Sequence, residues 1–167
     1  KDYLAYLRTA KEMGWQQIEF VTNATNGKRD LWDAIFGEDL ARRVIVSIES
    51  ADPAGFESVR GFPWERFSRN VATIADCIEQ HGRRAELVFN AVCMKSNLHT
   101  LPGIVDFAAA HRGKLYMVHL NPSNMFNNPL GRPENHLETV PRDEVLTVFR
   151  EVKRRAAAFR VPLWLPE

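Results

Sequence analysis

The sequence predicts an α/β fold in which parallel strands alternate with outer helices. Short β-branched runs such as Val44–Ile48 alternate along the chain with longer segments whose apolar residues recur at helical spacing. The strand segments also end in polar or turn residues, which would all lie at the carboxyl edge of a parallel sheet. Five strands are too few to close an eight-stranded barrel. The residues alone therefore leave two architectures open, an open sheet or part of a barrel.

Length and composition indicate a single domain, residues 1–167, large enough to bury a core. The apolar content of 45% and the charged content of 26% are typical of globular proteins. A net charge of +1 gives no reason to expect nucleic acid or an anionic membrane as partner. Two cysteines do not make a disulfide framework, so we expect a reducing cytoplasm. Because the chain enters a helical pattern directly at Lys1, we also expect a piece of a longer protein.

Capping and stop residues place the elements of the first half of the chain. Asp2 and Asp30 are suited to cap helices, because a carboxylate accepts hydrogen bonds from the free N–H groups of a first turn. Gly14 ends the first helix, and Pro53 stops the second strand because proline cannot donate to a ladder. The predicted elements are a helix from Asp2 through about Met13, a strand Gln17–Asn23, a helix from Asp30 through about Leu40, and a strand Val44–Ser50.

The second half repeats the alternation of helix and strand. Pro63 stands where the first turn of a helix tolerates proline, and Gly82 and Gly113 are helix terminators. Thr100 is suited to cap the helix that begins at Leu101. The predicted elements are a helix from Pro63 to about His81, a strand Ala85–Val92, a helix from Leu101 to about His111, a strand Lys114–Leu120, a helix from Pro141 to about Phe159, and a strand Val161–Leu165.

The stretch Val44–Gly61 contains the strongest candidate for a ligand site. Side chains alternate between the two faces of a strand, so one face is apolar and the other ends in a hydroxyl and a carboxylate, those of Ser47 and Glu49. A solvated strand end explains this pattern. A small-ligand site at the carboxyl edge of a parallel sheet explains it too, because α/β folds place their chemistry there.

Four motifs, in order, resemble the radical S-adenosylmethionine (SAM) enzymes over roughly residues 1 to 122. They are VTNAT at Val21–Thr25, VIVSIESADPAGFESVRG at Val44–Gly61, FPWERFSRNVATI at Phe62–Ile74, and NAVCMKSNLHTLPGIVDFAAAHRG at Asn90–Gly113. Ala24 stands where the family often has glycine. The resemblance implies a partial (β/α) TIM-type barrel with outer helices. It also implies a parent enzyme that reductively cleaves SAM with a 4Fe-4S cluster, and so makes a 5′-deoxyadenosyl radical that abstracts hydrogen from an unknown substrate.

Two features of that family are absent from the chain, the three cysteines spaced CxxxCxxC and the Gly-Gly-Glu motif. Both would precede Lys1, so we expect the cluster ligands outside this chain and the fragment alone to be inactive. Cys77 and Cys93 are expected to be packing cysteines rather than metal ligands. The partners implied by the resemblance are a small-molecule or peptide substrate and an electron donor.

The resemblance assigns cofactor-binding roles to residues at the strand ends. Ser47 and Glu49 would contact the ribose and the amino-acid part of SAM, and Arg60 would bind its carboxylate. Asn90 would meet the adenine or the ribose. Thr22 and Asn23 end the first strand facing opposite ways, so at most one of them is expected to reach the cofactor. For each of these side chains a structural or solvated role is the alternative.

The loop 121–136 is long for a connector, and such loops often carry function. Asn124, Met125 and Phe126 are expected to face substrate, and the turn Leu120-Asn121-Pro122 to offer backbone contacts near the adenine. Packing against other regions would explain the loop equally well.

Two other functions remain open from the sequence. The chain is alternatively a non-catalytic, degenerate barrel that binds a ligand or serves as a scaffold. A third possibility is an unrelated (β/α) barrel enzyme, such as a metal-dependent isomerase. That class needs carboxylates and histidines at several strand ends, and only Glu49 and His119 qualify here.

Overall fold

The structure is a computed structural model that describes residues 3–119 and 132–165. It contains a parallel five-stranded sheet in the order β1-β2-β3-β4-β5, so each strand pairs with its neighbours in the chain. The elements are α1 (Tyr3–Glu12), β1 (Glu19–Thr22), α2 (Arg29–Gly37), β2 (Arg43–Ser47), α3 (Pro53–Arg60), α4 (Trp64–Gln80), β3 (Glu86–Cys93), α5 (Leu101–Ala110), β4 (Lys114–His119), α6 (Arg142–Phe159) and β5 (Leu163–Trp164). The predicted α/β class and its parallel sheet are confirmed.

The two faces of the sheet differ as the alternation predicted. Val44, Val46 and Ile48 have no exposed surface and belong to the core that the helices cover. The other face, which we call the open face, carries the alternate residues of each strand. These are Val21 of β1, Ile45 and Ser47 of β2, Val88, Asn90 and Val92 of β3, Tyr116 and Val118 of β4, and Trp164 of β5.

A column of aromatic rings joins the core face of the sheet to the helices. The ring centroids of Phe56 in α3 and Phe67 in α4 are 4.4 Å apart, and those of Trp64 in α4 and Phe107 in α5 are 5.1 Å apart. Phe107 in turn meets Phe89 of β3 at 5.4 Å. Such pairs contribute beyond their buried area, so this column fixes α3, α4 and α5 relative to β3.

Several predicted boundaries are wrong in detail. The segment after β2 is not a simple strand stop, because Pro53–Arg60 forms a helix that Asp52 caps with a 2.7 Å bond to the Gly55 N–H. The α2 helix begins at Arg29, so Asp30 lies inside its first turn and does not cap it. Thr100 makes no side-chain cap, because a 3₁₀ segment, Lys95–Thr100, runs directly into α5. The suggested cap at Asp2 lies outside the described residues.

A row of alternating charges closes the amino end of the open face. Arg43 of β2 pairs with Glu19 of β1 at 2.6 Å and with Glu86 of β3 at 3.1 Å, and Glu86 pairs with Lys114 of β4 at 2.5 Å. The Lys114 ammonium and the Arg43 guanidinium hold the pKa of the Glu86 carboxyl below its usual range. The charged end of the sheet is thus opposite to the carboxyl edge. No helix of the described residues is long and apolar enough to cross a membrane.

Candidate functional site

Ser47 and Asn90 lie side by side on the open face at the carboxyl edge of the sheet. The register pairs Ser47, the last residue of β2, with Asn90 of β3. Asn90 is not at the end of its strand, since β3 continues to Cys93, but the register brings it level with Ser47. Both side chains are half-buried, and neither hydrogen-bonds to another residue of the described chain. A hydroxyl and an amide are therefore available here to an incoming ligand.

Glu49 and Arg60 form a bidentate ion pair beside this position. Arg60 donates from Nε to Oε2 and from Nη2 to Oε1 of Glu49, both at 2.5 Å. The Arg60 side chain is only 27% exposed and the Glu49 side chain only 11%. Parallel N–H donors on a planar guanidinium match the two carboxylate oxygens, so this geometry fixes both groups. The structure thus brings Ser47, Glu49, Arg60 and Asn90 to one edge of the sheet.

A buried amide that sequence reasoning missed holds this edge together. Asn97, in the 3₁₀ segment after β3, is only 4% exposed. Its Nδ2 donates to the carbonyl oxygens of Glu49 at 2.7 Å and Val92 at 2.8 Å, and its Oδ1 accepts from the Met94 N–H at 2.8 Å. The amide thereby connects the chain just after β2 to the end of β3, and it positions the backbone that carries Glu49.

The loop after β1 is anchored by a second buried amide that sequence reasoning missed. Asn70 of α4 donates from Nδ2 to the Ala24 carbonyl at 2.8 Å. Gly27 of the same loop lies very close to Asn70. A Cβ at that position would lie 1.9 Å from Asn70 Oδ1, so a larger residue would displace the amide. Ala24 has a φ of 53°, in the left-handed region that favours glycine.

Thr22 and Asn23 occupy this loop, and the structure separates their side chains. Thr22 is level with Val46 on the core face, where its Oγ1 accepts from the Ala24 N–H at 3.1 Å. Asn23 is exposed, and its Oδ1 accepts from the hydroxyl of Thr25 at 2.8 Å and from the Thr25 N–H at 3.2 Å. Both side chains therefore stabilise the turn locally, and of the two only Asn23 is exposed.

The predicted substrate-facing residues Asn124, Met125 and Phe126, and the turn Leu120-Asn121-Pro122, lie outside the described residues. The end of the same long loop is described and docks against the carboxyl edge. Asn135 Oδ1 accepts from the Ser96 N–H at 2.9 Å. This bond connects the loop to the 3₁₀ segment that contains Asn97.

Both cysteines are buried packing residues, as predicted. Burial raises the pKa of the Cys93 thiol to about 12, and burial together with the nearby Asp33 does the same for Cys77. Among the described residues no group of three His, Cys, Asp or Glu side chains is placed to hold a metal ion. A 4Fe-4S cluster therefore finds no ligands in the described part of the chain.

A cleft of about 530 Å³ lies elsewhere, between α4 and α5 at the amino end of β3 and β4. It is lined by small residues and by charges that are mostly paired, such as Glu79 with Arg83 and Arg112. Burial lowers the pKa of His111 in this cleft, an effect that Asp76 opposes. The cleft is at the opposite end of the sheet from Ser47 and is therefore separate from the candidate site.

Comparisons with known proteins identify the fold. No family model and no curated protein matches the sequence. Among solved structures, SuiB of Streptococcus suis bound to S-adenosylmethionine matches 96% of the chain with a TM-score of 0.65 and 12% identity. SuiB bound to its precursor peptide SuiA matches 98% with a TM-score of 0.72, also at 12% identity. A domain of a pyruvate-formate lyase-activating enzyme from Bacteroides vulgatus matches 98% with a TM-score of 0.67 and 8% identity.

The chain has the fold of the radical SAM partial barrels, and this settles the choice between an open sheet and part of a barrel. It spans about a third of the length of SuiB, 33% and 34% of the two chains. It spans 89% of the Bacteroides domain. At such low identity the likeness establishes the fold, and the function has to be argued from the site.

Proposed function

We propose that the chain is the SAM-binding part of a radical SAM enzyme. One observation supports this most directly. Ser47 and Asn90, two polar side chains with no hydrogen-bond partner among the described residues, lie at the same carboxyl edge as the Glu49–Arg60 pair, in a sheet whose fold neighbour SuiB binds S-adenosylmethionine. Parallel α/β folds bind their ligands at this edge.

The donor set on this edge suits the chemical groups of SAM. The Ser47 hydroxyl and the Asn90 amide can each donate and accept, as the ribose hydroxyls and the adenine edge require. Arg60 supplies a cation for the carboxylate of the amino-acid part. Asn23 directly follows the last residue of β1, and the proposal includes it as a further exposed amide. Thr22 is left out of the proposed site because it is on the core face.

With a reduced 4Fe-4S cluster as electron donor, bound SAM would supply the radical chemistry that removes a hydrogen atom from a substrate. This chain's own residues would orient SAM and shield it, which is the usual share of the protein in cofactor chemistry. The described residues offer no set of cluster ligands, so in this proposal the cluster ligands come from outside the chain.

The substrate is proposed to approach over β4 and β5. Tyr116 and Trp164 follow Asn90 in the same cross-strand row of the open face, and their rings meet edge-to-face at 4.5 Å. We propose a small-molecule or peptide substrate, and the SuiB complex with a precursor peptide supports the second class. An electron donor and a cytoplasmic setting complete the proposal.

The proposal is tested by measuring the binding of SAM to this chain with saturation-transfer NMR. We expect saturable binding of SAM. Loss of one hydrogen bond in Ser47→Ala or Asn90→Ala should weaken it about tenfold. The matched controls are Ser58→Ala and Asn26→Ala, which change exposed side chains away from the open face. No saturable binding, or equal binding in all four variants, would contradict the proposal and favour a scaffold role.

A further inference from the structure

We propose that Glu49 is a positioning residue, which turns the free edge of the Arg60 guanidinium toward the carboxylate of SAM. This inference rests on the proposed function and assigns Glu49 a role other than direct contact with the cofactor. It makes the Glu49–Arg60 pair the element by which the site recognises an α-carboxylate.

The geometry of the pair determines which donors of Arg60 remain available. A guanidinium has five N–H donors on a rigid plane. Glu49 takes one from Nε and one from Nη2 at 2.5 Å each, which occupies one edge of that plane completely. No other group of the described residues pairs with the edge formed by Nη1 and the second hydrogen of Nη2. This edge has the same two-pronged geometry that fits a carboxylate.

The same geometry argues against direct contact between Glu49 and SAM. Both of its carboxylate oxygens already accept from Arg60, and its side chain is 11% exposed. For Glu49 to accept from a ribose hydroxyl or an ammonium group, it would have to give up part of a charge-assisted, largely buried pair. Removing one partner from such a pair is costly, because it leaves the other charge uncompensated.

The backbone that carries each partner is fixed by contacts outside the pair, so the pair is positioned before any ligand binds. Arg60 lies in the last turn of α3, whose first turn is capped by Asp52 and whose end is closed by Gly61 with a φ of 60°. The α3 helix is pinned to the core by Phe56, which is 1% exposed. On the other side, Asn97 binds the Glu49 carbonyl at 2.7 Å. A pre-positioned donor spends no binding free energy on ordering itself.

The test compares SAM with decarboxylated SAM, which lacks only the carboxylate, on the same set of variants. The wild-type chain should prefer SAM by about tenfold or more, as expected for hydrogen bonds to a charged group. In Arg60→Met the two ligands should bind about equally. In Glu49→Gln, which keeps Arg60 but loses the bidentate acceptor, the preference should fall by several-fold toward equality.

Two controls separate positioning from a general structural effect. Ser58→Ala, which removes an exposed hydroxyl from the same helix as Arg60, should leave both affinities and the preference unchanged. Glu86→Gln removes a comparable ion-paired carboxylate at the opposite end of the sheet and should leave the preference unchanged. If Glu49→Gln does not fold, Glu49→Asp keeps the charge at a shorter reach, and its preference should lie below that of the wild type.

The outcomes also distinguish this inference from the proposed function. A wild-type preference that persists in a folded Glu49→Gln or Glu49→Asp chain would overturn the positioning role while SAM binding stands. Equal wild-type affinity for the two ligands would overturn it as well. If the wild-type chain binds neither ligand, the proposed function itself fails and the inference fails with it.

Discussion

Replacing Asn97 by alanine should weaken the protein more than most single substitutions, because one buried side chain makes three hydrogen bonds. Each bond contributes about 1 kcal/mol net, so the free energy of unfolding should fall by about 3 kcal/mol. That is a large share of the free energy of unfolding of a natural domain, which is about 5–15 kcal/mol. The loss has a structural consequence too, since the backbone at Glu49 is then no longer connected to the end of β3.

Urea unfolding followed by circular dichroism measures this loss, with two matched variants beside it. Asn26→Ala removes an exposed asparagine that accepts one 3.0 Å bond from the Lys28 N–H, and it should cost less than about 1 kcal/mol. Asn97→Asp keeps the size of the side chain but turns a carboxylate oxygen toward two carbonyl oxygens. At neutral pH it should therefore be less stable than Asn97→Ala.

The ordering of these variants decides whether the reasoning is sound. An Asn97→Asp chain as stable as the wild type would show that the amide does not donate to Glu49 and Val92. An Asn97→Ala chain no less stable than Asn26→Ala would show that water or a rearranged loop replaces all three bonds. Either result would refute the account of how the carboxyl edge is held.

Three further substitutions or treatments follow from the same contacts. Gly27→Ala should force Asn70 out of its bond to the loop and cost about 1–3 kcal/mol in urea unfolding, and unchanged stability would contradict the close approach. The pKa of Glu86 lies below its ordinary value of 4.5, chiefly through Lys114, so its stabilisation is present above that pH and is lost as the pH falls below it. The difference in Tm between wild type and Glu86→Gln should therefore be largest at neutral pH and shrink in acid, and a difference that grows in acid would reverse this sign. The Cys93 thiol, whose pKa burial raises to about 12, should react with iodoacetamide at pH 8 only after unfolding, and fast labelling of the native chain would refute its burial.

Local patterns in the sequence were sufficient to predict the strands and their faces. The alternation from Val44 to Glu49 placed Ser47 on the face away from the core, where the structure has it. The helix α3 was missed although its signals were present. Asp52, Pro53 and Gly61 are the cap, first residue and terminator of an eight-residue helix, but the proline was interpreted only as a strand stop.

The parts of the site that depend on distant residues had no local signal. Asn90 lies three residues before the end of β3, and only the register with β2 brings it level with Ser47. Asn70 binds a backbone carbonyl 46 residues away in the loop after β1, and Asn97 binds one 48 residues away just after β2. The Glu49–Arg60 pair likewise requires α3 to turn back over the strand end. These contacts follow from tertiary packing, which periodicity does not report.

The measurement that tests the central claim most directly is a ¹⁵N–¹H NMR titration of this chain with SAM, because it reports where the ligand binds. We predict progressive shifts of the backbone resonances of Ser47 and Asn90 and of the Arg60 Nε–H. We predict no change at Asp76 and His111 in the cleft between α4 and α5. Shifts confined to that cleft, or none at millimolar SAM, would contradict a SAM site at the carboxyl edge.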